Sequence, residues 1–493
     1  MTYDITNFGA NRDGETVTTA QMQAAIDACG GAGGGTVNVP SGRYVTGSLW
    51  LRSNVTLHLE AGATLVGSPR FDDFPIWSSR WEGAGVKAGR AALICGEGLD
   101  NVAITGRGTI DGRGAIWWEQ QAKAPGKIRR PFLFRVVDCR NVLVEGVTFR
   151  NSPMWTVTPL ACDNVVINRI TIINPPDSPN TDGINPDSCR NVRISDCHVD
   201  VGDDCITIKS GKEDDGRQQL RPCENIAVTN CTLVHGHGGV VIGSEISGGV
   251  RNVAISNCVF VGTDRGIRIK ARRGRGGVVE DVRASDLIMD GVNCPIVVNL
   301  FYGCGAWNDQ KVLDQGAHPV NDGTPRFRRL RYSNITARRI KFAAAYILGL
   351  PEMYVEDLII ENSSFFLDAQ GTDAGPPAMA PGVPDLCRAG IIASSVRQLT
   401  LRQLDITDQI GPAISISKAK EMRLLDLTLR SPSIDSPLVN LEEIEGAHIA
   451  GCYAPQDASL PVQISGEHSS NIIVHDQEFD VDESAQATPV GQG

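Results

Sequence analysis

Four short polar segments interrupt the alternating apolar pattern in the middle of this sequence. Three aspartates come first, with Asp182 in Asn-Thr-Asp-Gly and the pair Asp203 and Asp204 in Gly-Asp-Asp. His237 follows in Gly-His-Gly, and an Arg-Ile-Lys segment begins at Arg268. Neighbouring segments are 21, 33 and 31 residues apart. If each gap is one coil of a repeating fold, these side chains stack about 4.8 Å apart.

Stacked carboxylates, an imidazole and two cations are groups that can hydrolyse a glycosidic bond. One carboxylic acid protonates the leaving oxygen, and one carboxylate activates the attacking water. Three clustered carboxylates cannot all ionise freely, so we expect at least one raised pKa, as a general acid requires. Arg268 and Lys270 would keep the other carboxylates ionised and could bind an acidic sugar. We expect the glycines beside Asp182, Asp203 and His237 to leave room for the substrate.

Each segment alone is a weak signal. An Asp-Asp pair is usually a solvated turn, and Arg-x-Lys on a strand is usually a solvated face. The four segments together, in one order and at coil-like spacing, are a strong signal. Tyr302 follows Lys270 by 32 residues, so a fifth coil could add a phenol.

A short phrase of asparagine, valine or isoleucine, any residue and another apolar residue recurs along the chain. It begins at Asn101, Asn141, Asn164, Asn191, Asn225, Asn252 and Asn471. Between Asn141 and Asn252 the copies lie 23, 27, 34 and 27 residues apart. Such a period indicates a solenoid, and the alternation within each copy indicates a strand. Asparagine fits the turns because its side chain can hydrogen-bond along a stack of like turns.

These repeats predict an all-β fold, a parallel β-helix with a short N-terminal capping helix. We expect one domain over residues 1–482, with 1–50 as the cap and first coil, and a disordered tail over 483–493. The helix is predicted at Thr18–Cys29, with Thr18 and Gln21 in capping-box spacing and Gly30 at its end. The Gly-, Pro- and Ala-rich stretch Asp368–Asp385 predicts a long surface loop.

Several of the 14 cysteines follow the same period. Four lie two residues before a repeat asparagine and three lie six residues after one: Cys139, Cys162, Cys189 and Cys223, then Cys197, Cys231 and Cys258. The sequence contains no Cys-x-x-Cys pair of the kind that binds zinc. We therefore expect columns of small buried side chains with free thiols. We expect no metal and no cofactor.

The overall charge limits the partners of the protein. A net charge of −11 argues against nucleic acid or a membrane surface as a partner, because both require a broad cationic surface. No apolar run is long enough to span a bilayer. The N-terminus lacks the basic and then apolar segments of a secretion signal, so we expect a cytoplasmic protein.

The segments NTDG, GDD, GHG and RIK, in this order and spacing, resemble the four motifs of the polygalacturonases, glycoside hydrolase family 28. The resemblance covers roughly Thr6 to Thr336. The stretch GGGTVNVPSGRYVTGSLWLRSNVTLHLEAGATLVGS is also similar to exo-acting bacterial and plant members. The resemblance implies a right-handed, single-stranded parallel β-helix of the pectin-lyase-like type. It implies inverting hydrolysis of α-1,4-galacturonosidic linkages in pectin-derived galacturonate chains, without a metal.

The resemblance also implies roles for the catalytic segments. Asp203 corresponds to the general acid, and Asp182 and Asp204 correspond to the pair that activates water. His237 is similar to the histidine that tunes the acid.

Four further residues are implied to bind the substrate. Arg268 and Lys270 resemble the galacturonate-binding pair of the family. Tyr302 is similar to a substrate-contacting tyrosine, although no motif fixes its position. Asn180, which opens the first segment, is placed with them.

The carboxylate spacing and the resemblance point to different stereochemistry. Inverting glycosidases place their carboxylates about 6.5–9.5 Å apart, and retaining ones about 5–5.5 Å apart. Adjacent coils suggest the shorter distance and therefore retention, whereas the resemblance implies inversion. We take inversion, since spacing does not define the direction of the side chains.

Exo action is expected, because a cytoplasmic enzyme meets imported oligomers rather than polymer. Candidate loops that close the cleft are Arg70–Arg90, Trp117–Arg130 and Ala306–Arg326. Trp117 and Trp118 could stack on a sugar ring or pack in the core.

Three alternatives remain at the level of sequence. A rhamnogalacturonan hydrolase is the nearest, but such relatives tend to lack the histidine and Arg-x-Lys. A lyase of the same fold would need calcium, which the aspartates could bind but Arg268 and Lys270 would oppose. A non-catalytic carbohydrate-binding β-helix or adhesin would have no reason to place this polar set on successive coils. Calcium dependence of activity distinguishes the lyase.

Overall fold

The repeated asparagine phrase forms parallel strands, one in each coil. In the computed structural model, Asn141 takes the left-handed conformation (φ 54°) and Val142 and Val144 point into the core. Val142 pairs with Val165, and Val165 pairs with Val192 on the next coil. The alternation therefore places one apolar row inside and one polar row outside on every coil.

The structure describes residues 1–79, 81, 89–127, 129–212, 221–430, 437–453, 462–475 and 480–481. The chain divides into two compact units, Met1–Val240 and Val241–Gly493. Parallel β-helix coils form each unit, which confirms the predicted fold class. The expectation of a single domain over 1–482 stays a prediction, and the predicted tail over 483–493 lies outside the described residues.

In the first unit the strands form three parallel ladders around an apolar core. The asparagine strands form the first ladder: Thr2–Asp4, Gly35–Val39, Val55–Leu59, Asp100–Gly106, Arg140–Glu145, Asp163–Asn168, Arg190–Ser195 and Cys223–Thr229. The second ladder follows each of them after a bend: Asp13–Val17, Gly42–Thr46, Ala63–Gly67, Thr109–Asp111, Thr148–Arg150, Thr171–Ile173, His198–Val201 and Thr232–His235.

The third ladder of the first unit has the three aspartates at its edge. It contains Leu49–Trp50, Ile94–Glu97, Phe134–Val137, Val157–Leu160 and Ile206–Ile208. Single bridges through Ile184 and Asp187 connect the last two of these strands. A short antiparallel pair, Ile76–Trp77 and Gly89–Arg90, lies outside the ladders.

In the second unit many strands run on through the bend that interrupts those of the first. The long strands are Val278–Asp290, Arg326–Ile340, Val355–Leu367, Ala389–Thr407, Ile414–Leu425 and Val439–Ala450. The shorter ones are Val240–Gly243, Val250–Ser256, Val259–Val261, Arg265–Lys270, Cys294–Asn299, Ala343–Leu348, Thr428–Arg430, Val462–Ser465, Ser470–Val474 and Asp480–Val481. Parallel pairing in register connects neighbouring coils here too.

The helices are few and short. Helix α1 spans Thr19–Gly31, α2 spans Ala115–Lys123 and α3 spans Gln310–Leu313, with 3-10 turns at Ile5–Phe8 and Phe71–Asp73. Among the described residues, no helix combines the length and hydropathy needed to cross a membrane.

The predicted N-terminal helix is confirmed and has Thr18 at its N-cap, but the predicted capping bond and the predicted C-terminal end are wrong. The Thr18 side chain makes no capping hydrogen bond, because its hydroxyl donates to the Val45 carbonyl at 3.4 Å instead. The helix also continues through Gly30 to Gly31, so Gly30 does not end it.

The cysteine column of the first unit is confirmed. The strands that follow Cys139, Cys162, Cys189 and Cys223 pair in register, so these residues lie one per coil, and all four are buried. Each thiol lies within hydrogen-bond distance of a backbone carbonyl. All fourteen cysteines are free thiols in the structure.

The predicted loop at Asp368–Asp385 contains no strand or helix, but it is not only a surface feature. Ala378 is buried, and the Met379 carbonyl accepts hydrogen bonds from the Gly303 amide and the Asn299 side chain. Arg265 donates to the carbonyls of Pro376 and Pro377. These contacts hold the loop on the coils of the second unit, to which it belongs.

Candidate active site

The three aspartates lie at the edge of the third ladder of the first unit. Val157, Ile184 and Ile206 are aligned in register on successive coils. Asp182 and Asp204 each lie two residues before an aligned residue, so they occupy the same position on adjacent coils. The Asp204 carbonyl accepts a hydrogen bond from the amide of Gly183 at 3.0 Å, which fixes this register.

The carboxylates form one cluster, as predicted. One oxygen from each of Asp182, Asp203 and Asp204 lies within 4.8 Å of the others. The Asp204 amide donates to Asp203 Oδ1 at 2.9 Å, which orients the Asp203 side chain. Asp182 and Asp204 are buried, whereas the Asp203 side chain is 20 % exposed. Asp203 is therefore the carboxyl most open to an approaching molecule.

His237 is the immediate neighbour of Asp203. Its amide donates to the Asp203 carbonyl at 3.2 Å, and its Nδ1 lies 3.4 Å from Asp203 Oδ1. The imidazole is 54 % exposed. A group in this position can exchange a proton with solvent and influence the charge of Asp203.

The predicted role of the glycines is wrong for Gly183 and Gly202. A Cβ on Gly183 would lie 2.4 Å from the Cys205 carbonyl oxygen, and one on Gly202 would lie 2.5 Å from that of Ser178. The space beside them is therefore filled by backbone of the fold. These glycines allow close packing of the chain and do not provide room for a substrate.

A buried lysine that the sequence analysis did not identify lies beside Asp182. Lys209 Nζ is 4.0 Å from Asp182 Oδ2, and the two side chains are 7 % and 4 % exposed. The Thr207 hydroxyl lies 3.4 Å from the same oxygen, and Lys209 Nζ lies 4.2 Å from the centre of the Trp155 ring. Lys209 follows Asp204 by five residues, as Asp187 follows Asp182, so its place in the register was the available signal.

Asn180 is held by a second basic residue that was also missed. Arg130 Nη2 donates to Asn180 Oδ1 at 2.6 Å, and Nη1 donates to the carbonyls of Pro153 and Pro179 at 3.0 and 2.5 Å. Burial lowers the pKa of the Arg130 guanidinium, while the charges of Asp182 and Asp203 raise it. Arg130 thus orders the Asn180 turn and adds positive charge near the carboxylates.

The remaining three predicted residues lie together in the second unit. Arg268 and Lys270 are on the strand Arg265–Lys270, paired with Val297 and Asn299, and both are buried. The ring of Tyr302 lies 5.6 Å from Arg268 Cζ and 5.1 Å from Lys270 Nζ. Two cations on an aromatic ring form a group that can bind an anion and a sugar face.

The tryptophans and the candidate loops differ in part from the predictions. Trp117 is fully buried and stacks on Phe71 at 4.2 Å, so it belongs to the core and does not contact a sugar. The segment assigned to the loop Trp117–Arg130 begins as helix α2, and Ala306–Arg326 contains helix α3. Parts of Arg70–Arg90 lie outside the described residues.

The arrangement in the first unit is suited to acid/base chemistry. One carboxyl is partly exposed beside an imidazole, and two are buried with cations nearby. Such unequal environments can make one carboxyl an acid and another a base. The three aspartates are also close enough to ligate a metal ion. Lys209 and Arg130 compete with such an ion for the same negative charge.

Known proteins resemble a large part of this chain. Residues 29–313 match glycosyl hydrolases family 28. A probable polygalacturonase of Vitis vinifera is 35 % identical over 375 residues, 74 % of each chain. An endo-polygalacturonase of Pectobacterium carotovorum subsp. carotovorum is 32 % identical over 304 residues, 58 % of this chain and 73 % of the relative.

Solved structures lead to the same family. The hyperthermoactive exopolygalacturonase from Thermotoga maritima superposes with a TM-score of 0.65 at 32 % identity. The match covers 75 % of this chain and 88 % of that one. With its parallel coils, its carboxylate cluster and these similarities, the chain belongs to glycosyl hydrolases family 28.

Proposed function

We propose that the protein is a polygalacturonase that hydrolyses α-1,4-galacturonosidic linkages in pectin-derived galacturonate chains. The observation that carries this proposal is the cluster of Asp182, Asp203 and Asp204 within 4.8 Å, in unequal environments. Membership of family 28 and the polygalacturonase relatives support the reaction class and the substrate.

The reaction divides the work between the carboxyl groups. Asp203 donates its proton to the glycosidic oxygen as the C–O bond breaks, since it is the most exposed of the three and lies beside His237. Asp182 and Asp204 accept a proton from the water that attacks the anomeric carbon. The water enters opposite the leaving group, so the configuration inverts.

Substrate recognition requires positive charge, because every galacturonate unit carries a carboxylate. In this proposal Arg268 and Lys270 bind one such carboxylate and Tyr302 contacts the sugar ring. Asn180, exposed and oriented by Arg130, contributes a further polar contact. The protein acts from a chain end and releases monogalacturonate, an expectation supported by the N-terminal similarity to exo-acting members.

Product analysis on a series of oligogalacturonides tests the proposal. We expect monogalacturonate as the first product at every chain length, with the anomer of the new reducing end inverted in early NMR spectra. Chelation with EDTA should leave the rate unchanged. Unsaturated uronides together with calcium dependence would indicate a lyase, mid-length products would indicate endo cleavage, and activity only on rhamnogalacturonan would indicate the sister specificity. The Asp203→Asn variant is the matched control.

A further inference from the structure

We propose that Lys209 is a positioning residue that keeps Asp182 in its carboxylate form and so leaves the acid role to Asp203. This inference rests on the proposed function, because it assigns the division of labour within the same carboxylate cluster. Lys209 acts on the reaction through Asp182.

The contact between Lys209 and Asp182 is enclosed by the fold. The ammonium lies 4.0 Å from Asp182 Oδ2, and both side chains are less than a tenth exposed. The Trp155 ring lies 4.2 Å from Lys209 Nζ. A charge taken out of water must be compensated by a partner, and in this enclosure the attraction is little screened. Lys209 therefore favours a negative charge on Asp182.

A second contact supports the same charge state. The Thr207 hydroxyl lies 3.4 Å from the same Asp182 oxygen and donates a hydrogen bond to it. Thr207 and Lys209 lie on one face of the strand Ile206–Ile208 and its continuation, so one coil supplies both groups to the preceding coil. Hydrogen bonds to the charged form of a carboxyl favour that form.

Asp203 has different neighbours. Its Oδ1 accepts the Asp204 amide at 2.9 Å and lies 3.4 Å from the His237 imidazole, and the side chain is open to solvent. Because the Lys209 ammonium favours the charged form of Asp182, a proton shared by the three crowded carboxyls is disfavoured at Asp182. Lys209 removes Asp182 from that competition, which favours protonated Asp203.

Other charged groups also face Asp182 and Lys209, among them Asp204 in the same cluster. Arg130 is positive and acts on both Asp182 and Asp203. Asp187 lies opposite Lys209 in the register, and its Oδ1 accepts the Ser188 hydroxyl at 2.9 Å. Asp187 is therefore a second negative neighbour for the Lys209 charge.

The proton balance of one turnover follows from this division. The proton of Asp203 moves to the leaving oxygen as the glycosidic C–O bond breaks. Water forms the new C–O bond, and its proton moves to the carboxylate of Asp182. Solvent exchange then returns one proton from Asp182 to the bulk and one to Asp203, where the exposed His237 provides a path.

The test is the pH profile of kcat/KM on trigalacturonate for wild type, Lys209→Met and Lys209→Arg. Without the ammonium, Asp182 takes up a proton at higher pH, so the acidic limb should move upward by about 1–3 pH units. Lys209→Arg retains the charge and should restore a limb close to that of the wild type. A role in packing alone would lower activity equally at all pH values.

Two outcomes separate this inference from the proposed function. A wild-type protein that releases no galacturonate contradicts the proposed function itself. An active wild type with an unmoved acidic limb in folded Lys209→Met contradicts only the role of Lys209. If Lys209→Met does not fold, the near-isosteric Thr207→Val should move the same limb upward by a smaller amount, and an unmoved limb there overturns the inference.

Discussion

Two stacks of like residues in the first unit share one geometry but have different effects on the protein. The asparagine stack contains Asn54, Asn101, Asn141 and Asn164. The side-chain amide of each of the last three donates to Oδ1 of the asparagine before it, at 2.7 or 2.8 Å. The carboxylate stack also places one residue per coil, Asp182 and Asp204, in equivalent positions.

The two stacks differ in what each residue offers its neighbour. An amide has a donor and an acceptor, so a column of amides satisfies itself, whereas ionised carboxylates only accept and repel one another. The fold compensates the carboxylates from the side, with Lys209 4.0 Å from Asp182 and with Arg130 nearby. The coil repeat that stabilises one column thus concentrates charge in the other, where acid/base chemistry needs it.

Replacing one carboxylate with an amide tests the difference between the two stacks most directly. Asp203→Asn should lower kcat on trigalacturonate by about 10²–10⁴-fold, because the amide cannot deliver a proton. The free energy of unfolding should stay the same or rise slightly, since one of three like charges is gone. Steady-state kinetics and urea unfolding measure the two effects.

The control for this variant is an aspartate with a structural role in the same unit. Asp196 accepts hydrogen bonds from Asn168 and Asn230 at a turn. Asp196→Asn should keep nearly full turnover. If Asp203→Asn retained more than about a tenth of wild-type turnover, the assignment of the acid would be wrong and Asp182 or Asp204 would be the next candidate.

The positive charge of Lys270 in the second unit is expected to act on substrate binding. Lys270→Ala removes a buried ammonium beside the Tyr302 ring and should raise KM for trigalacturonate by about 10–100-fold, as expected for the loss of one charged hydrogen bond. Turnover at saturation should change less. Lys270→Arg retains the charge and should recover part of the affinity. An unchanged KM in Lys270→Ala would exclude this lysine as a substrate contact.

The sequence allowed the coil, but not the side-chain direction, to be predicted. The repeat placed Asn141 at its turn and brought Asp182, Asp203 and Asp204 together, because residues one period apart must be neighbours. Lys209 was missed because it lies just beyond the buried strand Ile206–Ile208 and none of the four polar segments includes it. Its role depends on a long side chain reaching back to the preceding coil, which spacing does not define.

The open prediction for Trp117 and the wrong one for the glycines have the same physical origin. Trp117 is in the core because helix α2 directs it against Phe71, a contact between segments far apart in the repeat. The glycines beside the aspartates are needed where one coil's backbone passes another, as at Gly183. Such close approaches depend on three-dimensional packing, which a local motif does not contain.

A smaller effect should follow when the asparagine stack is interrupted. Asn141 donates to Asn101 and accepts from Asn164, and it holds a left-handed φ of 54°. Asn141→Ala should lower the free energy of unfolding by about 1–3 kcal/mol through lost hydrogen bonds and backbone strain, without affecting kcat. Asn141→Gly tolerates the same φ, so it should lose less. Equal losses in urea unfolding would show that backbone strain contributes nothing.

The buried thiols form a third stack, whose members neither repel one another nor take part in catalysis. The smallest effect on the protein is expected from changes to its thiols. Thiolates are the reactive form, and burial raises the pKa of the Cys162 and Cys223 thiols and blocks access to them. Cys304 is exposed, so it should react first with a thiol reagent in the native protein, and Cys304→Ser should remove that fast phase. After unfolding without reductant, all 14 thiols should react. A lower count would reveal disulfides and would contradict both the free-thiol columns and a reducing location for the protein.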